Sequence, residues 1–228
     1  MPKGAVAALS LLVLWAGPAQ AGSVDLPFQV GGAFSVPVTS LKEERLRSTI
    51  RQQYDFSCGS AALSTLLTHH YGYAVTEAAV FQQMFALGDQ QKIRRDGFSM
   101  LDMKRYLQAH GFEANGFESP LDSLRDAGIP GIVLINERGY NHFVVVKGLR
   151  DGRVLFGDPA GGTRAQPRAE FESLWMNQIV FVITNRQDKA RFNLAADWHA
   201  SPNAPIGGSV SQPSLTGIVL PKLGPSDF

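Results

Sequence analysis

The stretch Arg51–Leu67, RQQYDFSCGSAALSTLL, holds the only cysteine of the 228-residue chain, Cys58, and its reading decides the fold. After the sulfur, Ala61, Ala62, Leu63, Leu66 and Leu67 recur at helical spacing, which predicts a helix from Cys58 to Tyr71 stopped by Gly72. Cys58 then stands in the first turn, where unpaired N–H groups and the positive end of the helix dipole favour a thiolate. Gly59 and Ser60 leave room around it. A thiol so placed is either a small buried hydrophobe, a common state of free cysteine, or a nucleophile.

A nucleophilic thiol needs a base, a group that orients the base, and donors for an oxyanion. His142 is the candidate base. It opens the run HFVVVK (His142–Lys147) after the loop-like stretch Glu137–Asn141, and the apolar run predicts a central strand covered on both faces. Asp158 lies 16 positions further on. The chain runs out along His142–Lys147, turns at Asp151-Gly152 and returns along Val154–Phe156, so Asp158 comes back beside His142. A strict two-residue turn leaves that pair diagonal. Gln52, six positions before the thiol, or its neighbour Gln53, offers an amide that can join the Cys58 N–H as oxyanion donor. His69, His70 and His110 fall late in predicted helices, where the C-terminal dipole accounts for them, and His199 lies in a polar stretch. One cysteine and scattered histidines give no zinc-ligand spacing. The chain has no G-x-S-x-G, P-loop or dinucleotide fingerprint, so neither metal nor cofactor is expected.

Helices are predicted at Leu41–Ile50, at Thr76–Leu87 with Thr76 as N-cap, at Ser99–His110 with Ser99 and Asp102 as cap signal, and at Pro120–Ala127. Strands follow at Gly131–Asn136, His142–Lys147, Val154–Phe156 and Trp175–Thr184. Helices first and antiparallel strands after them make an α+β fold, N-terminal helices packed on a C-terminal sheet. At the N-terminus, Lys3, the apolar Ala5–Trp15 and the A-x-A site at Ala19–Ala21 read as a signal peptide, residues 1–21. Residues 22–48 read as an extended arm, 49–186 as the domain carrying the chemistry, and 187–228 as an extension ending in a flexible tail. No later run approaches the ~20 apolar residues of a membrane span. The expected location is the periplasm, an oxidising compartment in which a lone cysteine is a liability unless used. A net charge of +1 excludes the basic footprint of a nucleic-acid binder.

Gln52, Cys58-Gly59, His142-Phe143-Val144-Val145 and Asp158-Pro159-Ala160 together resemble the C39 peptidases, papain-like cysteine proteases best known as N-terminal domains of bacteriocin-exporting ABC transporters. The resemblance spans about Arg51–Asn185 and implies a papain-like fold. It implies Cys58 as nucleophile, His142 as general base and then acid, Asp158 as the acid orienting His142, and Gln52 rather than Gln53 as oxyanion donor. It also implies a polypeptide substrate, cut after a Gly-Gly pair by the bacteriocin exporters. For a stand-alone exported member it implies work beside outer-membrane secretion machinery, as in functional-amyloid export. Ser57 stands where the family usually carries aspartate before the cysteine, and no transmembrane or ATPase domain accompanies the peptidase region. Two other readings stay open: a C39-like module that binds substrate without cutting it, and a Cys-His cell-wall amidase.

Overall fold

The computed structural model describes Ser23–Phe28, Gly32–Pro37 and residues 39–202. The expected signal peptide and the tail beyond residue 202 lie outside the described residues. The chain divides into two units, Met1–Ser40 and Leu41–Phe228. In the first, β1 (Ser23–Phe28) and β2 (Gly32–Pro37) pair antiparallel, so the expected extended arm contains a β-ladder.

The second unit begins with α1 (Leu41–Leu46), α2 (Cys58–Thr65), α3 (Glu77–Leu87), α4 (Gln90–Asp96) and α5 (Met100–Ala109). β3 (Ala114–Glu118) and α6 (Asp122–Ala127) lead to β4 (Gly131–Glu137), β5 (Tyr140–Arg150), β6 (Arg153–Asp158) and β7 (Gly162–Pro167). α7 (Arg168–Leu174), β8 (Ile179–Ile183) and α8 (Ala195–Trp198) complete it. The six strands form one antiparallel sheet in the order β3-β8-β4-β5-β6-β7.

The local signals act as read. The Thr76 hydroxyl accepts from the Ala79 N–H, and Ser99 and Asp102 close a reciprocal capping box, a device that stabilises a helix by about 1 kcal/mol. The helix beginning at Cys58 differs from expectation: after Thr65 it continues as one π-helical turn, Leu66–His70. His70 is thereby buried. Its Nδ1 lies 2.7 Å from the Arg191 carbonyl, and its own carbonyl accepts from the Arg191 N–H at 2.9 Å. Burial and the nearby Lys147 lower its pKa to about 4, so His70 is a neutral core histidine and not a cation answering a helix dipole.

The sheet is covered on both faces. Phe143 and Val145 of β5 join Leu63, Leu66, Met103 and Leu107 in one core. Val144 and Val146 join Leu121, Leu124, Phe156 and Phe171 in the other, beneath α6 and α7. Each fully buried side chain of this size contributes about 1.5–3 kcal/mol over its exposed state. The strand expected at Trp175–Thr184 is shorter, with Trp175 making only an isolated bridge to Ile135. Residues 187–201 also pack on β5. Trp198 is buried beneath the Arg150 guanidinium, 4.4 Å from its ring, and Asn193 donates to the Lys147 and Leu149 carbonyls.

Candidate active site

Cys58 is the first residue of α2, and Ser57 builds the turn that delivers it. The Ser57 hydroxyl accepts from the Tyr54 N–H at 3.1 Å and donates to the Tyr54 carbonyl at 3.0 Å. It makes no cap bond to the helix. An ionised aspartate accepts only and could not make both bonds, which accounts for serine at this position. Gly59 is dictated by contact, since a Cβ there would sit 2.8 Å from the Phe98 Cβ.

Burial decides the state of the sulfur. It pushes the Cys58 thiol above its ordinary range, and the Asp158 charge adds to the rise. The N–H groups of Phe143, Gly59 and Cys58 itself pull the other way. The helix N-terminus predicted a lowered thiol pKa. Its donors are present, but desolvation outweighs them, so a base must take the proton before the sulfur can attack.

His142 is the third residue of β5 and not the opening of a strand after a loop. Arg138 and Gly139, with φ of 55° and 84°, form a two-residue turn that pairs Glu137 directly with Tyr140. The imidazole is 7% exposed, and its Nε2 lies 3.6 Å from Oδ2 of Asp158. That is ion-pair range and longer than a hydrogen bond, a looseness common before substrate binds. Neither ring nitrogen has a hydrogen-bond partner among the described residues.

A β-bulge brings Asp158 to this face. Asp151 and Gly152, both with positive φ, close a tight turn that sets Arg150 opposite Arg153. Continued without interruption, that register would place Asp158 opposite Val145, on the face opposite to His142. The register shifts at Lys147, between the pairs Gly148–Leu155 and Val146–Phe156. Val145 then faces Gly157, and Asp158 falls opposite Val144, on the His142 side and diagonal to it. Its Oδ1 accepts from the Ala160 N–H at 2.8 Å and its Oδ2 from Arg164 at 3.0 Å. Burial alone would raise the carboxyl. His142, the Ala160 N–H and Arg164 overcome it and hold the pKa at about 2.

Gln52 is half-buried and Gln53 exposed. The Gln52 N–H donates to the Pro159 carbonyl at 3.0 Å, fastening it beside the Asp158 turn. Its side-chain amide donates to the Tyr54 carbonyl at 3.1 Å, leaving a second N–H. The structure thus gathers all four sequence-predicted residues at one end of β5.

Three neighbours escaped the sequence reading. Tyr140 stacks on His142 with ring centres 5.6 Å apart, and its hydroxyl donates to the Asp55 carbonyl at 2.6 Å. Arg164 and Glu137 pair at 2.5 Å behind Asp158. Ligand atoms of Glu137, His142 and Asp158 lie within 4.8 Å of one another, a spacing that would suit a cation, but the Arg164 guanidinium already answers both carboxylates. An apolar cleft of about 340 Å³, lined by Phe98, Met100, Leu134, Phe143 and Met176, ends at Cys58. A recess of about 620 Å³ opens over His142 and Asp158, with the charged residues Arg45 and Arg138 on its wall.

The peptidase C39 family model matches residues 47–187. The chain is 40% identical over 185 residues to the probable functional amyloid protease FapD of Pseudomonas fluorescens, covering 81% of this chain and 82% of that protein. It is 42% identical over 176 residues to the probable functional amyloid protease FapD of Pseudomonas aeruginosa, covering 77% of each. A solved double-glycine-motif protease from an AMS/PCAT transporter, in complex with the leader peptide, superposes with a TM-score of 0.50 at 28% identity, over 59% of this chain and 89% of that one. The peptidase domain of Streptococcus ComA shares the fold, with a TM-score of 0.51 at 20% identity over 60% of this chain and 97% of that one.

Proposed function

We propose, from the premise that this chain belongs to the peptidase C39 family and is a cysteine peptidase, that it cuts an exported polypeptide of a functional-amyloid export system. In this reading Cys58 is the nucleophile. His142 takes the thiol proton as the sulfur attacks the scissile carbonyl, then gives it to the leaving amine. Asp158 holds the imidazole and stabilises its charged form. The Cys58 N–H and the Gln52 amide donate to the tetrahedral oxyanion. Water then hydrolyses the acyl-enzyme with His142 as base. The observation that carries the reading is the gathering of a helix-initiating thiol, a buried imidazole and an ionised carboxylate beside an open apolar cleft.

The cleft supports an extended apolar segment entering from one side. The resemblance supports a small residue, such as the second glycine of a pair, at the cut. Residues 1–21 act as a cleaved signal peptide in this reading, placing residues 49–186 as the peptidase domain in the periplasm beside the outer-membrane export machinery. The test is co-expression of this chain, or of its Cys58→Ala variant, with candidate exported proteins of a functional-amyloid system. At least one exported protein should be shorter with the active chain and full-length with Cys58→Ala. Equal masses in both would remove the assignment.

A further inference from the structure

Arg164 of β7 is half-buried behind the candidate site, its guanidinium 4.7 Å from the Phe156 ring centre. One of its nitrogens, Nη2, donates to Asp158 Oδ2 at 3.0 Å and to Glu137 Oε2 at 2.5 Å, and Nη1 donates to Glu137 Oε1 at 3.3 Å. Oδ2 is the oxygen that faces His142, and the Ala160 N–H holds the other, Oδ1. The carboxylate plane is therefore fastened at both oxygens, and the fastening at Oδ2 is anchored in turn to Glu137 on a different strand. A lysine ammonium could bridge the two carboxylates from its single nitrogen but would lose the second guanidinium bond, Nη1 to Glu137 Oε1, that fixes the plane of the pair.

We propose that Arg164, anchored by Glu137, is a positioning residue that aims Asp158 at His142 and so governs the competence of the base. The proposal rests on the reading of Cys58, His142 and Asp158 given above. It is distinct from a simple charge effect. Deleting a nearby cation would leave the imidazolium better stabilised and move the acid limb of kcat/KM to higher pH. Releasing Asp158 would take its counter-charge away and move the limb to lower pH. The ionisable groups around the pair are Cys58 from α2, Glu137 from β4, Tyr140 on β5 itself, Arg164 from β7, and Arg45 and Arg138 on the recess wall.

The test uses the full chain and N-benzyloxycarbonylglycine 4-nitrophenyl ester, which needs acylation and deacylation by the site but no peptide recognition. Cys58→Ala supplies the blank. Arg164→Gln should lower kcat about tenfold with KM within about twofold, and shift the acid limb to lower pH, the direction expected for Asp158→Asn. Arg164→Lys should recover part of the rate. Glu137→Gln, which keeps the arginine but frees its anchor, should give a smaller change of the same sign and serves if Arg164→Gln fails to fold. A wild-type profile in Arg164→Gln, or an acid limb moved to higher pH, with Asp158→Asn impaired, overturns this proposal and leaves the site reading standing. A wild-type profile in Asp158→Asn overturns the reading of Asp158 and this proposal with it.

Discussion

Two buried ionisable side chains stand five residues apart on β5, and the protein treats them in opposite ways. His142, near the strand's start, faces an ionised carboxylate that is held by an arginine and opens on a solvent recess. Lys147, in the middle, is fully buried, and its hydrogen bonds among the described residues go to neutral oxygens, the Ser48 carbonyl at 2.5 Å and the hydroxyls of Ser48, Thr49 and Thr163 at 2.8, 2.9 and 3.0 Å, while the charge of Asp197 acts on it without a direct bond. Burial lowers its pKa to about 8. Lys147 has no access to substrate, yet it occupies the bulge that turns Asp158 toward His142. One residue is placed for chemistry, the other for the geometry that chemistry needs.

The contrast breaks most sharply through activity. His142→Ala should cost about a thousandfold in ester or peptide turnover, in the range for loss of a general acid–base. Lys147→Met, which keeps length and bulk, should stay within about threefold of wild type. A large activity loss in a folded Lys147→Met protein would show that the charge itself, and not the bulge, supports the site.

The next effect is on stability against pH. Lys147 carries a folded-state pKa of about 8 against an ordinary 10.5, so between those values the unfolded chain binds the extra proton and stability rises with pH. The burial penalty is fully present below pH 8. Wild type minus Lys147→Met, followed by denaturant melts from pH 8 to 9.5, should show that rise. At the acid end the sign is the same but the groups differ. His70 is held at about 4 against 6.5, so stability falls as pH drops through that window, and His70→Gln should remove this slope. Asp158, at about 2 against 3.8, adds a further loss below pH 4.

Much of this architecture is legible in the residues, and the failures have physical causes. The capping box at Ser99, the N-cap at Thr76 and the apolar runs of β4 and β5 act locally, so sequence shows them. β3 (ANGFE) and β7 (GTRAQP) are polar edge strands, specified by the neighbours they pair with and not by their own pattern. α4 buries only Ile93, and α7 starts directly after Pro167 with no side-chain cap. At the site, Cys58, His142 and Asp158 announce themselves by chemistry. Glu137, Tyr140 and Arg164 do not, because ordinary turn and strand residues become neighbours only through register. The Lys147 bulge, which sets that register, leaves no mark in a run of valines.

Tyr140 gives the smallest expected effect. Tyr140→Phe keeps the ring on His142 and loses the bond to the Asp55 carbonyl, so turnover should change by about threefold or less. A much larger loss would make the hydroxyl part of the chemistry.

The most direct measurement is an acid-quenched intact mass of the protein after brief exposure to N-benzyloxycarbonylglycine 4-nitrophenyl ester. A single N-benzyloxycarbonylglycyl adduct, absent in Cys58→Ala and nearly absent in His142→Ala, is the result expected of a thiol activated by its imidazole. An adduct that persists in Cys58→Ala, or one formed equally well without His142, would contradict it.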